Sequence, residues 1–138
     1  MTKVLAFGTF DIFHKGHEYF LKKAKKLGDE LHVVIARDAT VLQIKKEKPH
    51  NSENFRQETV QKQEYITKAH LGNLDDKYKI IEDIKPDIIC LGYDQIAFTN
   101  KLSEELLGRN ITCKIIRMPS FKPDIYKSSL IKKNSPKA

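Results

Sequence analysis

The apolar positions of the chain fall into two kinds of pattern, and the two alternate. Val4, Leu5, Ala6 and Phe7 are consecutive, which predicts a strand over 3–7 buried on both faces and closed by Gly8. The period then changes. Phe20, Leu21, Ala24 and Leu27 recur at three- and four-residue spacing with Lys22, Lys23, Lys25 and Lys26 between them. That spacing predicts an amphipathic helix over 17–27, ended by Gly28. A second apolar run predicts a strand over 30–36. Residues 37–40 read as a strand-end loop, 41–44 as a short turn of helix, and 45–51 as a mobile charged loop broken by Pro49. Asn51 or Ser52 can cap a helix running to 66, with Phe55, Val60, Tyr65 and Ile66 as a ragged inner stripe.

The second half repeats the alternation. A short strand is expected over 68–72. A helix over 77–84, with Tyr78, Ile81 and Ile84 inward, is stopped by Pro86. A strand over 87–91 closes at Gly92. A helix over 102–108, starting nearer Thr99, precedes a strand over 111–118 and a final helix over 128–133; residues 134–138 fray. Such alternation predicts an α/β fold: a Rossmann-like, doubly wound parallel five-stranded sheet with helices on both faces. The length suits a single domain over 1–138. Ligands of such sheets bind beyond the carboxyl ends of the strands, so segments 8–17, 37–40, 92–95 and 118–129 are expected to converge.

Composition narrows the partners. The formal net charge is +7, but the lysines are dispersed over helix faces and the tail, without interleaved aromatics. A nucleic-acid platform is therefore not expected. No apolar run approaches the roughly 20 residues that span a bilayer. Because the chain leads straight into a strand, no signal peptide is expected, and no membrane partner is expected either. Cys90 and Cys113 lie in apolar runs and read as buried strand residues, not as a disulfide or metal pair. The cytoplasm is the expected compartment.

The chemistry sits at the first strand-to-helix junction. His14 and His17 stand three apart around Gly16, beside Lys15, where a helix begins. Imidazole donors next to unpaired helix N–H groups suit a phosphate, and glycine lets it approach the backbone. The same spacing also occurs in ordinary polar loops, and a zinc site would need further ligands. Elsewhere, Arg56 is expected to make a structural ion pair, His32 to be a core histidine, and His50 and His70 to lie at the surface.

The run Gly8-Thr-Phe-Asp-Ile-Phe-His-Lys-Gly-His17 resembles the signature of the cytidylyltransferase-like nucleotidyltransferases. Further segments resemble the family in the same order: 25–29, 37–41, Lys45 with Lys48-Pro49, 53–56, 85–87, Leu91-Gly-Tyr-Asp-Gln95 and Lys127-Ser-Ser-Leu-Ile131. Within the family, Ala36-Arg-Asp, 91–95 and Tyr126-Lys-Ser-Ser129 are most similar to the archaeal-type FAD synthases, which adenylylate FMN with ATP and release pyrophosphate. Glycerol-3-phosphate cytidylyltransferases share the histidine motif but carry Arg-Thr-Glu-Gly-Ile-Ser-Thr-Thr where this chain has Lys122-Pro-Asp-Ile-Tyr-Lys-Ser-Ser129. Lys122 thus stands in place of an arginine, without its bidentate fork.

The resemblance implies roles position by position. His14, His17 and Lys45 would be catalytic. Gly8, Thr9, Phe10, Lys15, Gly16, Asp94, Tyr126, Ser128 and Ser129 would join the histidines in holding the nucleotide. Asp11, Lys48 and Lys122 would lie near the acceptor or the metal. The implied reaction transfers a nucleoside monophosphate from ATP, or CTP, to a phosphorylated acceptor, with FMN favoured. Mg²⁺ would travel with the triphosphate, without a dedicated protein ligand set. A homodimer is also implied. The alternatives are a cytidylyltransferase acting on glycerol 3-phosphate or a similar phosphorylated alcohol, and a non-catalytic nucleotide-binding protein.

Overall fold

The computed structural model describes residues 1–76, 78–92 and 101–118. The expectations for Asp94, Lys122, Tyr126, Ser128 and Ser129, and for the final helix, lie outside the described residues. Five strands form one sheet: β1 (Lys3–Gly8), β2 (Glu30–Ile35), β3 (Lys68–Leu71), β4 (Ile88–Leu91) and β5 (Lys114–Arg117). They are arranged β3-β2-β1-β4-β5, every pair parallel. The order reverses between β1 and β4, so the crevice beyond that point opens next to the end of β1.

Helices α1 (Lys15–Lys25), α2 (Asp38–Lys45), α3 (Glu53–Gln61), α4 (Lys79–Ile84) and α5 (Leu102–Gly108) alternate with the strands. Two cores lie on opposite faces of the sheet. One gathers Val4, Ala6, Leu31, Val33 and Ile35 with Leu21 and Ala24 of α1 and Val60 of α3. The other gathers Leu5, Val34, Ile89 and Leu91 with Ile81 and Ile84 of α4 and Leu102 and Leu106 of α5. Successive strand residues point to opposite faces, which is why Val4 and Leu5 enter different cores.

The differences from the sequence expectation have local causes. Helix α1 starts at Lys15, two residues early, because the His14 side chain caps it; Leu27, expected on the inner stripe, lies beyond its end and is exposed. Residues 38–40 are helical, not loop, since Glu53 Oε1 accepts the Asp38 N–H at 2.8 Å and supplies the missing cap from a distant part of the chain. Helix α3, capped by Ser52 as expected, ends at Gln61. Turn bonds from Gln63 N to Val60 O and from Ile66 N to Gln63 O then carry the chain on, still burying Ile66.

Its inner stripe also differs. Phe55 is exposed, and Arg56, four residues before Val60, takes the buried position. Strand β5 is shorter than 111–118, leaving Cys113 before it and only half buried, while Cys90 is buried within β4. His32 is half-buried, not fully cored, and His70 is not surface. The two rings stack at 5.3 Å, and His32 also meets Glu30 Oε1 at 2.9 Å. Their nitrogens are 3.1 Å apart. Among the described residues no helix is long and apolar enough to cross a membrane.

Candidate active site

The chain leaves β1 through a folded-back turn. Phe10 has φ of +50°, a left-handed conformation, and its ring is buried. A Cβ on Gly8 would stand 2.5 Å from that ring, so any larger residue there must push the ring aside. The ring meets His17 edge-on at 5.1 Å. Gly8 and Thr9 also tie this turn to its surroundings: Gly8 O accepts from Ala36 N at 3.0 Å, and Thr9 O accepts from Arg56.

Helix α1 begins with a reciprocal cap made by the two histidines. His14 Nδ1 accepts the Gly16 N–H at 3.0 Å, and His17 Nδ1 accepts the His14 N–H at 3.3 Å. This is a capping box built from imidazoles. The rings stack with centroids 3.8 Å apart. An Nδ1 that accepts carries no proton, so in each neutral ring the proton resides on Nε2 and that nitrogen is a donor. Burial lowers the pKa of both. That of His17 falls to about 3, through burial first, then the His14 ring and the Lys45 ammonium, against the opposing pull of Asp11. The pair therefore acts at neutral pH as two oriented N–H dipoles, not as a proton donor–acceptor couple. Lys15 and Gly16 form the first turn of α1, where the helix dipole favours an anion.

Lys45 ends α2, exposed, with its charge felt at His17. Lys46 follows in the left-handed conformation and turns the chain away. The segment after it returns to β1. Asp11, only 2% exposed, accepts from His50 N at 2.6 Å and Asn51 N at 2.7 Å, and Asn51 Nδ2 donates to Asp11 O. Lys48, in the same segment, is exposed.

Arg56 locks this frame together. Its fully buried guanidinium donates to Thr9 O at 3.0 Å, Ala36 O at 2.8 Å, Asn51 O at 3.0 Å and Asp38 Oδ1 at 2.6 Å. One side chain thus joins the ends of β1 and β2, the 46–51 segment and the start of α2. The expected ion pair is present, to Asp38, but the three carbonyls were not foreseen. The four-residue spacing to Val60 was the available signal that Arg56 faces inward. Glu53 works alongside, accepting from Asp38 N and from Arg37 Nε at 3.0 Å. The structure therefore brings together Gly8, Thr9, Phe10, Asp11, His14, Lys15, Gly16, His17 and Lys45 at the end of β1.

Comparison with known proteins fits this geometry. A family model described as cytidylyltransferase-like matches residues 5–134. The chain belongs to the cytidylyltransferase-like family. Among curated relatives it is 46% identical over 121 residues to the FAD synthase of Aciduliprofundum boonei, covering 88% of this chain and 80% of that protein. It is 49% identical over 122 residues to the FAD synthase of Methanosarcina mazei, with the same shares covered. Among solved structures, a lipopolysaccharide core biosynthesis protein from Thermoplasma volcanium aligns with a TM-score of 0.82 at 41% identity, over 88% of this chain and 99% of that one.

Proposed function

We propose that this family member is a nucleotidyltransferase that makes FAD from ATP and FMN. The observation that carries the reading is the reciprocal cap of His14 and His17. It fixes two neutral imidazoles as Nε2–H donors beside a helix N-terminus, at the end of a strand next to the sheet's switch point. The FAD synthase name of relatives 46–49% identical supports the choice of substrates.

In this reading an oxygen of the FMN phosphate attacks the α-phosphorus of ATP. The new P–O bond forms as the bond to the β,γ-pyrophosphate breaks, and pyrophosphate leaves with that electron pair. The attacking phosphate is already ionised, so no general base is required. His14, His17 and the N-terminal N–H groups of α1 stabilise the charge that builds on the α-phosphoryl oxygens. Lys45, at the end of α2, adds a positive charge. Asp11 acts by holding the 50–51 backbone, and Arg56 by holding the frame. Gly8, Thr9 and Phe10 form the turn against which the nucleotide lies.

Among the described residues no group of three or more His, Cys, Asp or Glu could hold a metal ion, and the Asp11 carboxylate is engaged by two backbone N–H groups. These residues do not form a metal cage. Mg²⁺ would accompany the ATP, held by phosphate oxygens and water. A homodimer is the proposed assembly.

The test is to incubate the protein with MgATP and FMN and measure FAD and pyrophosphate, with CTP and glycerol 3-phosphate as the competing pair. FAD formation in step with pyrophosphate is expected. Turnover with CTP and glycerol 3-phosphate alone would replace this reading by the cytidylyltransferase one. Nucleotide binding without turnover on any phosphorylated acceptor would leave a non-catalytic binding protein.

A further inference from the structure

Helix α2 ends on Lys45, and little apolar packing holds it in place. Of its eight residues only Val41 is buried; Leu42 and Ile44 are exposed. A helix this short is marginal in water unless something outside it fixes its first turn. Its own N-cap residue, Arg37, makes no side-chain cap. The anchors come instead from α3. Glu53 Oε1 accepts the Asp38 N–H at 2.8 Å, and Arg56 Nη2 donates to Asp38 Oδ1 at 2.6 Å. Glu53 and Arg56 stand three apart in the first turn of α3, and so share one face.

The Glu53 carboxylate is itself aimed. Its second oxygen takes Arg37 Nε at 3.0 Å, and Arg37 Nη1 donates to Gly72 O at 3.2 Å, just past the end of β3. The side chain is 20% exposed, so water competes little for its contact with the Asp38 N–H. That N–H is one of the four that a helix start leaves without an internal partner. A carboxylate there also meets the positive end of the helix dipole. Without Glu53, α2 would keep only Val41 and the Arg56–Asp38 pair to fix its direction.

We infer that Glu53 is a positioning residue for the transfer reaction: by anchoring the first turn of α2 it sets where Lys45 meets the phosphates. The inference rests on the nucleotidyltransferase reading and adds the residue that delivers its lysine. Glu53 touches no substrate. It acts along one helix, over about 10 Å from Asp38 to Lys45 at about 1.5 Å per residue. The Lys45 charge reaches the His17 ring, so a tilt or fraying of α2 moves a cation relative to the reacting centre. The anchor and the lysine stand at opposite ends of the same short element, which is why a polar contact far from the histidines bears on turnover.

The test is a double-mutant cycle of Glu53→Ala and Lys45→Gln on turnover of MgATP and FMN. Glu53→Ala is expected to lower kcat about tenfold, about 1.4 kcal/mol, with the KM for FMN within about twofold. In the Lys45→Gln background the same substitution should change kcat less than about twofold, because the group it positions is gone. Glu53→Gln, whose carbonyl oxygen still accepts the Asp38 N–H, should stay within about threefold of the wild type. Circular dichroism checks each fold; should Glu53→Ala not fold, Glu53→Asp, one methylene shorter, takes its place. Losses that multiply in the double variant overturn the assignment, as does a Glu53→Gln variant as slow as Glu53→Ala. Hydrogen exchange without substrate tests the anchor apart from the activity. Amides over 38–45 should exchange at least about tenfold faster in Glu53→Ala and near the wild-type rate in Glu53→Gln, with α1 unchanged. Unchanged exchange over 38–45 in Glu53→Ala overturns the anchor even if turnover falls. If the wild type uses CTP and glycerol 3-phosphate instead, the FAD reading falls and the same cycle on that pair decides the role of Glu53. If it turns over neither pair, both fall.

Discussion

His14 and His17 cap one helix reciprocally, each turning its Nδ1 to a backbone N–H and stacking its ring on the other at 3.8 Å. The bonds that begin the helix are the bonds that set both tautomers. Structure and chemistry are therefore coupled at these two residues, and alanine should expose both. His14→Ala and His17→Ala are each expected to lower kcat by about 10²–10³, the usual loss for one donor to a developing oxyanion. They should also lose about 1 kcal/mol of stability with the cap. His17→Asn can still accept the His14 N–H, so it should recover stability without recovering full turnover. Denaturant melts beside kcat measurements check the separation.

Acid should destabilise the protein through its histidines. His17 and His70 are pushed from 6.5 down to about 3 and about 4, and His14 is lowered too, all chiefly by burial. Below about pH 6.5 the unfolded chain binds protons that the folded one refuses, so stability falls as pH falls. The contribution is full above that pH and is lost progressively from about 6.5 down to about 4 for His70 and about 3 for His17. Each group adds a slope of at most about 1.4 kcal/mol per pH unit. Urea titrations at pH 7, 5.5 and 4.5 should show the fall, and His17→Asn should flatten it.

Lys45 acts on His17 through its charge. Lys45→Gln should raise the His17 pKa, and added salt should do the same in the wild type, because Lys45 is exposed and its field is screened. NMR titration of the ring reads the shift. Turnover should fall as well, since a cation near the phosphates is lost.

Arg56 makes four hydrogen bonds with no exposed surface. Arg56→Ala leaves three carbonyls and Asp38 without this donor, and a loss of about 3–5 kcal/mol is expected. Arg56→Lys should recover little, because an ammonium cannot span the fork of contacts. A Tm for Arg56→Lys within two degrees of wild type would contradict the frame assigned to this residue.

Gly8 is fixed by the ring folded over it. Gly8→Ala places a methyl 2.5 Å from Phe10 and is expected to cost about 1–3 kcal/mol as an overpacking change. The double substitution Gly8→Ala with Phe10→Leu should regain part of that, a coupling that a double-mutant cycle measures.

Much of this protein could be read along the chain because neighbours in sequence decide it. The apolar run at 4–7, the three- and four-residue spacing of α1, Ser52 before α3 and the strand at Ile88–Leu91 are local signals, and all four elements formed. The alternation of strand and helix fixed the parallel sheet and two-sided cores, since parallel strands require crossovers that cover both faces. The histidine cap was legible for the same reason: its bonds join residues two and three apart. Sequence could not show the start of α2, which depends on Glu53 fifteen residues on, nor the seating of Asp11 against residues 50 and 51. It could not show that Arg56 rather than Phe55 turns inward, because a buried guanidinium is stable only where three carbonyls and a carboxylate converge on it. That convergence belongs to the folded chain alone. The two capping histidines stand in one stretch; the frame around them was decided where distant segments met.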